Sequence, residues 1–171
     1  MKIVKGFLKL LLLLLVVFLA TGLLVKETSY EVKTSVNKPL STVFRIFNDQ
    51  SKLKDWLPEV KSIEPIDVKP GMIGSTYKMI VENEGDLTEM KEKVLAYIPN
   101  EKVTLHFDAD DMLKTDDYNF SELNGVTTIT NTVIYKSDSY LTQCLFPYLK
   151  GVFSNIDQKY LENFKVYIEK Q

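Results

Sequence analysis

Glu92 is the residue whose type and position most clearly suggest chemistry. It lies on a strand that the sequence predicts at Leu87–Ile98. Side chains alternate between the two faces of a strand, so Glu92 shares a face with Met90 and Val94, while lysines occupy the other face. A carboxylate on an apolar face is desolvated and its pKa rises, which suits a general acid or a ligand anchor.

Two other placements of Glu92 compete with a buried functional one. A twist or bulge of the strand would turn the carboxylate to solvent, and a lysine such as Lys114 would pair with it. Structural carboxylates of these kinds are commoner than functional ones in an apolar pocket. We therefore expect Glu92 to be solvated or paired.

The other chemistry-bearing residues favour neither a catalytic nor a metal site. His106 is the only histidine and Cys144 the only cysteine, on different predicted elements, so no nucleophile–base pair or zinc site is expected. We expect His106 on the polar face of its strand and Cys144 as a buried, inert thiol. Five aspartates lack the glycine and terminal glutamate of a calcium loop, so an acidic hairpin tip is expected and no metal or cofactor. They are Asp108, Asp110, Asp111, Asp116 and Asp117.

A strand and two short helices precede these residues. Residues 30–37 alternate between apolar or aromatic and polar side chains, which is typical of a half-buried strand. Pro39 suits the first turn of a helix, and the apolar residues of Leu40–Phe47 share one helical face. A second helical piece is predicted at Ser51–Trp56.

Residues 59–136 are predicted to form successive strands separated by short turns. Asn124-Gly125 is the strongest hairpin signal because both residues tolerate positive φ, and another turn is predicted at residues 83–85. Short connections favour an antiparallel meander. The predicted strands are Val60–Val68, Ser75–Glu82, Leu87–Ile98, Lys102–Ala109, Leu113–Leu123 and Val126–Tyr135.

The last segment predicts a long amphipathic helix from about Pro147 to Lys170. Apolar residues recur at intervals of three and four, and polar residues, Asp157 among them, are assigned to the solvent side. The apolar stripe requires a partner, and the concave face of the sheet is available. A long antiparallel sheet crossed by one terminal helix is an α+β arrangement.

Residues 7–25 form an apolar segment, which we interpret as a transmembrane anchor with a signal peptide as the alternative. Ala20-Thr21-Gly22 fits a cleavage site, but the apolar run continues past it to Val25, which favours an uncleaved anchor. The positive-inside rule then predicts a short cytoplasmic N-terminus at residues 1–6 and an extracytoplasmic domain at residues 26–171. Cleavage would instead release a secreted domain.

The body after this segment is acidic. Of the chain's 21 basic residues, three lysines lie within the first nine positions, whereas all 23 acidic residues come after residue 26. Arg45 is the only arginine. Without a basic stripe, a nucleic-acid partner is excluded. No linker or repeat divides the body, so one domain is expected.

Four stretches of the body match a known superfamily in order and residue type: VNKPLSTVFRIFNDQSKLKDWLPEVKSIE (residues 36–64), PGMIGSTYKM (70–79), NGVTTITNTVIY (124–135) and LENFKVYIEK (161–170). The chain resembles the START/Bet v 1-like (SRPBCC) superfamily, particularly its polyketide cyclase/dehydrase and lipid-transport branch. The resemblance implies a helix-grip fold. In it, a curved antiparallel sheet of about seven strands wraps a long C-terminal helix, with two short helices after the first strand.

The resemblance also implies a cavity between helix and sheet, for which three functions compete. The first is a membrane-anchored protein that binds a lipid or other hydrophobic small molecule. The second is a cyclase/dehydratase-type enzyme that would use Glu92, Tyr77, Tyr118 or His106, and the third is a ligand-free, co-chaperone-like interaction module. The fold does not decide among them, but the lack of a nucleophile–base pair favours binding. The candidate cavity residues are Trp56, Tyr77, Met79, Met90, Glu92, Leu105, Phe107, Tyr118, Phe120, Phe153 and Tyr160.

Overall fold

The structure is a computed structural model that describes residues 2–83 and 85–171. Met1, in the predicted N-terminal tail, and Glu84, in the turn predicted at residues 83–85, lie outside the described residues. A 3-10 turn at Gln50–Lys52 precedes a short α-helix at Leu53–Trp56, so the predicted helix at Ser51–Trp56 is divided in two. In chain order the elements are α1 (Lys2–Leu24), β1 (Thr28–Val36), α2 (Leu40–Phe47), α3 (Leu53–Trp56), β2 (Val60–Asp67), β3 (Thr76–Asn83), β4 (Asp86–Ile98), β5 (Lys102–Ala109), β6 (Met112–Leu123), β7 (Val126–Lys136) and α4 (Tyr140–Glu169).

The strands form one antiparallel sheet in the order β1-β7-β6-β5-β4-β3-β2. Strands β2 to β7 are joined as a meander, and β1 closes the far edge by pairing with β7. The predicted hairpin between β6 and β7 is confirmed, since Asn124 and Gly125 have φ values of 53° and 78°. The predicted α+β class and helix-grip arrangement are therefore confirmed.

Helix α4 begins at Tyr140, so the predicted start near Pro147 is wrong. A proline inside a helix loses its own N–H bond to the preceding turn but leaves the residues before it free to be helical. Contacts with α1 stabilise these first turns: the Tyr140 hydroxyl donates to the Leu19 carbonyl at 2.5 Å, and Gln143 Nε2 donates to the Gly22 carbonyl at 3.2 Å. The predicted start of α4 rests on the apolar residues that face the sheet, and these residues do not predict contacts with α1.

Helix α4 packs mainly along β1, at one edge of the sheet. One end of the interior is filled by aromatic rings from α2, α3, β6 and α4. Phe47 meets Phe120 and Phe164 with ring centroids 5.3 and 5.1 Å apart, and Trp56 meets Phe164 at 5.0 Å. Because α4 follows the edge strand, a space remains between it and the middle strands.

Helix α1 projects from this domain with its apolar side chains uncovered. Its stretch Ile3–Leu24 is long and apolar enough to cross a membrane, a property that a signal sequence shares. Ile3 is 88% exposed and Val17 is 52% exposed, whereas contacts with the domain begin at Phe18. Among the described residues, the body therefore contacts α1 through the last turns of that helix.

Candidate functional site

The space between the sheet and α4 is a cavity of about 390 Å³. This volume lies within the range of about 300–1,000 Å³ that is usual for small-molecule sites. Its walls come from α2, α3, strands β2 to β6, the β2–β3 loop, Tyr135 on β7 and the middle of α4, and they are predominantly apolar. Apolar wall residues outside the sequence-predicted set include Leu53, Val60, Ile63, Met72, Val81, Val94, Val103, Met112 and Ile156.

The structure brings nine of the eleven predicted cavity residues to this wall. Phe120 is buried but lies at the filled end, where its ring packs edge-on against Phe44 and Phe47. Tyr77 is 3% exposed at the start of β3, yet it is Met79 and Val81 that line the cavity from this strand. Tyr77 and Phe120 therefore lie outside the wall of this cavity. The nine are Trp56, Met79, Met90, Glu92, Leu105, Phe107, Tyr118, Phe153 and Tyr160.

Glu92 lies in the cavity wall with 5% of its surface exposed. The expectation of a solvated or paired Glu92 is wrong for two reasons. The bulge of β4 comes after it, at Val94, and no lysine or arginine of the described chain lies within 4 Å of its carboxylate. Burial, followed by the charge of Asp116, raises the pKa of Glu92 to about 7. The carboxyl group therefore changes charge near neutral pH.

Lys114 is the centre of a buried charge cluster beside Glu92. Its Nζ lies 2.6 Å from Asp157 Oδ1 and 3.1 Å from Asp116 Oδ2. The hydroxyl of Tyr30 donates to Asp157 Oδ2 at 2.5 Å, and Asn131 Nδ2 donates to Asp116 Oδ1 at 3.0 Å. One ammonium thus faces two carboxylates at bonding distance, so Lys114 has little positive charge left to offer a ligand.

Burial and charge act in opposite directions on the pKa values of this cluster. Burial alone would lower the pKa of Lys114, but Asp116 and Asp157 outweigh it and hold that pKa well above its usual value. Burial raises the pKa of Asp116 although Lys114 opposes the rise. Burial likewise raises the pKa of Tyr135 and of Tyr160 to about 12, so both hydroxyls stay protonated and can donate hydrogen bonds.

Two residues of this cluster lie elsewhere than the sequence predicted. The sequence predicts Asp116 in an acidic hairpin tip, but it is 2% exposed, and it predicts Asp157 on the solvent side of α4, but it is 4% exposed. Both have a signal in the sequence. Asp116 alternates in phase with Tyr118 on β6, and Asp157 follows Phe153 by one helical turn. The positions of the two residues in the strand and helix periodicity indicate burial, whereas their charge indicates exposure to solvent.

The remaining chemistry-bearing residues lie away from the cavity. His106 is half-buried on the opposite face of β5 from Leu105, with Nδ1 3.0 Å from the Thr115 hydroxyl. Cys144 is fully buried, as predicted, where the first turns of α4 meet α1. Neither can reach a molecule in the cavity.

A family model described as Activator of Hsp90 ATPase homolog 1-like protein matches residues 37–167. The chain belongs to this family. The matched range runs from the end of β1 into the last turn of α4 and includes the whole cavity wall. No curated protein matches the chain in sequence.

Solved structures similar to this family member share its fold at low sequence identity. A START superfamily protein from Mycobacterium smegmatis has a TM-score of 0.70 and 13% identity, with 83% of this chain and 97% of that one covered. The protein TTHA0849 from Thermus thermophilus has a TM-score of 0.69 and 14% identity, covering 82% and 97%. The Zhui aromatase/cyclase from Streptomyces sp. R1128 has a TM-score of 0.62 and 11% identity, covering 80% and 93%. These similarities establish the START/Bet v 1-like fold.

Two wall residues of this family member carry buried polar atoms without a hydrogen-bond partner in the described chain. They are Trp56 Nε1, a donor, and Glu59 Oε2, an acceptor. Buried polar groups are nearly always paired, so each exception requires an explanation. Together with Glu92, they give an apolar cavity a few polar groups that can orient a ligand.

Proposed function

We propose that this chain is a membrane-tethered protein that holds a hydrophobic small molecule, such as a lipid, in the cavity between the sheet and α4. The observation that carries the proposal is a cavity of about 390 Å³ with mainly apolar walls in a chain that also presents the apolar helix α1. An apolar ligand entering it would exchange water for these walls and gain about 25 cal/mol per Å² of apolar surface buried. The tether would keep the protein beside its source of ligand.

The wall has one donor without a partner in the described chain, Trp56 Nε1, but two carboxyl groups, Glu59 and Glu92, and these favour a ligand whose polar end donates hydrogen bonds. Glu92 has no cationic partner in the described chain, whereas Lys114 already contacts two aspartates. A second acceptor, Glu59 Oε2, is also without a partner. A ligand carboxylate would meet uncompensated negative charge, but a hydroxyl or amine would meet acceptors. The best ligands are therefore alcohols or amines with long apolar parts.

Displacement of a fluorescent fatty alcohol from the detergent-solubilised full chain tests the proposal. Mass spectrometry of molecules that copurify with the chain identifies natural candidates. Leu105→Trp fills the cavity and is expected to weaken binding at least tenfold, a loss of about 1.4 kcal/mol. His106→Trp places the same ring on the other face of β5 and is the matched control.

Equal binding by the wild type and both variants would overturn the proposal, because the probe would then bind outside the cavity. Weaker binding of a fatty acid than of the alcohol of equal length is expected from the acceptors in the wall. The reverse order would contradict the assigned polarity of the ligand while leaving apolar binding in place.

A cyclase/dehydratase-type enzyme is the second candidate, and the observation that favours it is the buried carboxyl group of Glu92 in the cavity wall. A carboxyl group with a pKa of about 7 in an apolar cavity is suited to act as a general acid or base. Glu92→Gln separates the two functions. An enzyme would lose turnover of a poly-carbonyl substrate, followed by absorbance of the cyclised product, while retaining displacement of the fatty alcohol, because the amide oxygen of Gln still accepts a hydrogen bond. A wild type without turnover would remove this candidate.

A further inference from the structure

Helix α1 packs directly on the first turns of α4, and the contact is close. The ring of Phe18 stacks on Tyr148 with centroids 6.1 Å apart, and Thr21 Oγ1 lies 2.8 Å from the Tyr148 hydroxyl. A Cβ built on Gly22 would lie 2.4 Å from Cys144 Sγ, so only glycine fits there. These contacts fix the height of α4 relative to α1: the start of α4 lies beside residues 18–22.

Those α1 residues belong to the stretch that is apolar enough to cross a membrane. The stretch Ile3–Leu24 contains 22 residues and is about 33 Å long at 1.5 Å per residue, close to the thickness of the apolar layer of a bilayer. Residues 18–22 then lie roughly 3–9 Å inside its end. The first turns of α4, beside them, lie at the same depth.

From these first turns onward, the outer face of α4 is apolar and uncovered. A stripe of five residues, spaced by four, three, four and four positions, is 42–62% exposed: Leu141, Leu145, Tyr148, Val152 and Ile156. We call it the α4 stripe. Along the same face, Lys159, Asn163 and Lys170 follow Ile156, with Val166 as an isolated apolar residue. The stripe therefore ends where polar residues begin on this face of α4.

We propose that the α4 stripe is a second membrane contact, embedded in the leaflet where α1 ends. Tyr148 contacts α1 and belongs to the stripe, so the apolar surface of α1 continues onto α4 without a polar gap. Interfacial helices bury such a face by about 5–10 Å, which agrees with the depth that the α1 contact sets. This inference rests on the membrane tether of the proposed function.

The stripe also sets the position of the cavity. Ile156, the last residue of the stripe, and Lys159, the next residue on that face, both line the cavity wall. The rim of the cavity therefore lies at the border between apolar layer and head groups, where a lysine can extend its ammonium to water. A lipid would pass from the leaflet into the cavity without crossing bulk water.

Quenching of single-cysteine probes in the full chain tests the inference. Cys144→Ala removes the native thiol, and Leu12→Cys, Val152→Cys or Lys150→Cys then carries an environment-sensitive fluorophore in phosphatidylcholine vesicles containing nitroxide-labelled lipid. Lys150 is exposed and lies about 200° around the helix from Val152, so it is the matched control. We expect quenching at positions 12 and 152 but not at 150.

A probe at position 152 that stays unquenched while position 12 is quenched would overturn the embedded stripe and leave the tether intact. Absence of quenching at both positions would remove the tether and the stripe together. Ligand displacement measured on the same samples reports the cavity separately, so failure of ligand binding is distinguishable from failure of membrane contact.

A transfer assay tests the consequence for the cavity. Val152→Asp places a carboxylate in the stripe without touching the cavity wall, and Lys150→Asp places one two residues away. We expect the first variant to take up a fluorescent lipid from vesicles severalfold more slowly, with unchanged affinity in detergent. Equal uptake rates for the two variants would contradict entry from the leaflet.

Discussion

At one end of the interior, Phe47, Phe120 and Phe164 meet edge to face, with Trp56 against Phe164. At the other end, the same two elements, strand β6 and helix α4, form part of the wall of a cavity. Along β6, Phe120 faces the rings, whereas Asp116 and Lys114 face the open end. The fold therefore fills one end with aromatic rings, of which Phe47 and Trp56 also border the cavity, and leaves the other end open and charged.

The difference indicates which end is kept for stability and which for function. Aromatic burial gains free energy, while burying charges costs free energy that even a good ion pair offsets only in part. A domain selected for stability alone would extend the rings of the filled end. The open end instead keeps Glu92 without a cationic partner in the described chain, beside one lysine shared by two aspartates. Such a cluster is expected where a ligand contributes to the balance.

Phe164→Ala probes the filled end and is expected to have the largest effect. The ring is fully buried against Phe47 and Trp56, and its loss leaves a cavity that rigid neighbours cannot close. The free energy of unfolding should fall by about 3–5 kcal/mol, measured by urea unfolding of the full chain in micelles by circular dichroism. Val166→Ala, at an exposed position on the same helix, is the control. Similar losses for both would show that the filled end is not the stability centre.

Lys114→Met probes the charged end and should cost about 3 kcal/mol, because Asp116 and Asp157 lose their shared cation while buried. Adding Asp157→Asn to the variant removes one of the two charges and should restore part of the loss. Lys102→Met breaks the pair with Asp117, whose side chains are 31% and 28% exposed, and should cost about 1 kcal/mol or less. Equal losses at Lys114 and Lys102 would contradict a buried cluster.

Glu92→Gln should increase the stability of the protein, and only above pH 4.5. The pKa of Glu92 is raised from 4.5 to about 7, so the unfolded chain releases the proton first and wild-type stability falls as pH rises from 4.5 to 7. The full shift corresponds to about 3 kcal/mol, and we expect a gain of about 1–3 kcal/mol for the variant at pH 8. Below pH 4.5 the two proteins should be equally stable.

Unfolding of both proteins across pH 4–8 measures this difference. A constant difference between wild type and variant would contradict a titrating Glu92. Bound fatty amine should remove the pH dependence by pairing with the ionised carboxylate, whereas a fatty acid should not. The comparison of fatty amine with fatty acid therefore connects the stability measurement to the proposed ligand.

Periodicity predicted the strands, the hairpin at Asn124-Gly125 and the apolar walls, because alternation between faces is a local property of a strand. It located nine cavity residues but could not separate them from Phe120, since cavity and core residues share the same phase. What distinguishes them is the placement of α4 along β1, a contact distant in sequence. A single sequence does not record how far a helix lies from each strand.

The buried charges were missed for a different reason. Assigning Asp157 to solvent followed the rule that carboxylates are rarely buried without a partner. The rule holds, but the partners of Asp157 are Lys114 and Tyr30, which lie 43 and 127 residues away from it in sequence. The early start of α4 is similar, since its first turns are stabilised by α1. Each of these wrong predictions concerns a contact between segments distant in sequence, which a local sequence pattern does not predict.

Tyr30→Phe tests the outer part of the charge cluster and should have the smallest effect. The hydroxyl donates to Asp157 at 2.5 Å, and its removal leaves that buried carboxylate with Lys114 alone. A hydrogen bond to a charged acceptor contributes about 1.5–3 kcal/mol, and with Lys114 retained we expect a loss of about 1–2 kcal/mol. Tyr167→Phe removes a more exposed hydroxyl bond to Asp55 and serves as the control. The loss at Tyr30 should shrink in the Asp157→Asn background, because the acceptor is then uncharged. A loss that is the same in both backgrounds would show that the Tyr30 hydroxyl stabilises the fold independently of the Asp157 charge, and would separate β1 from the charged end.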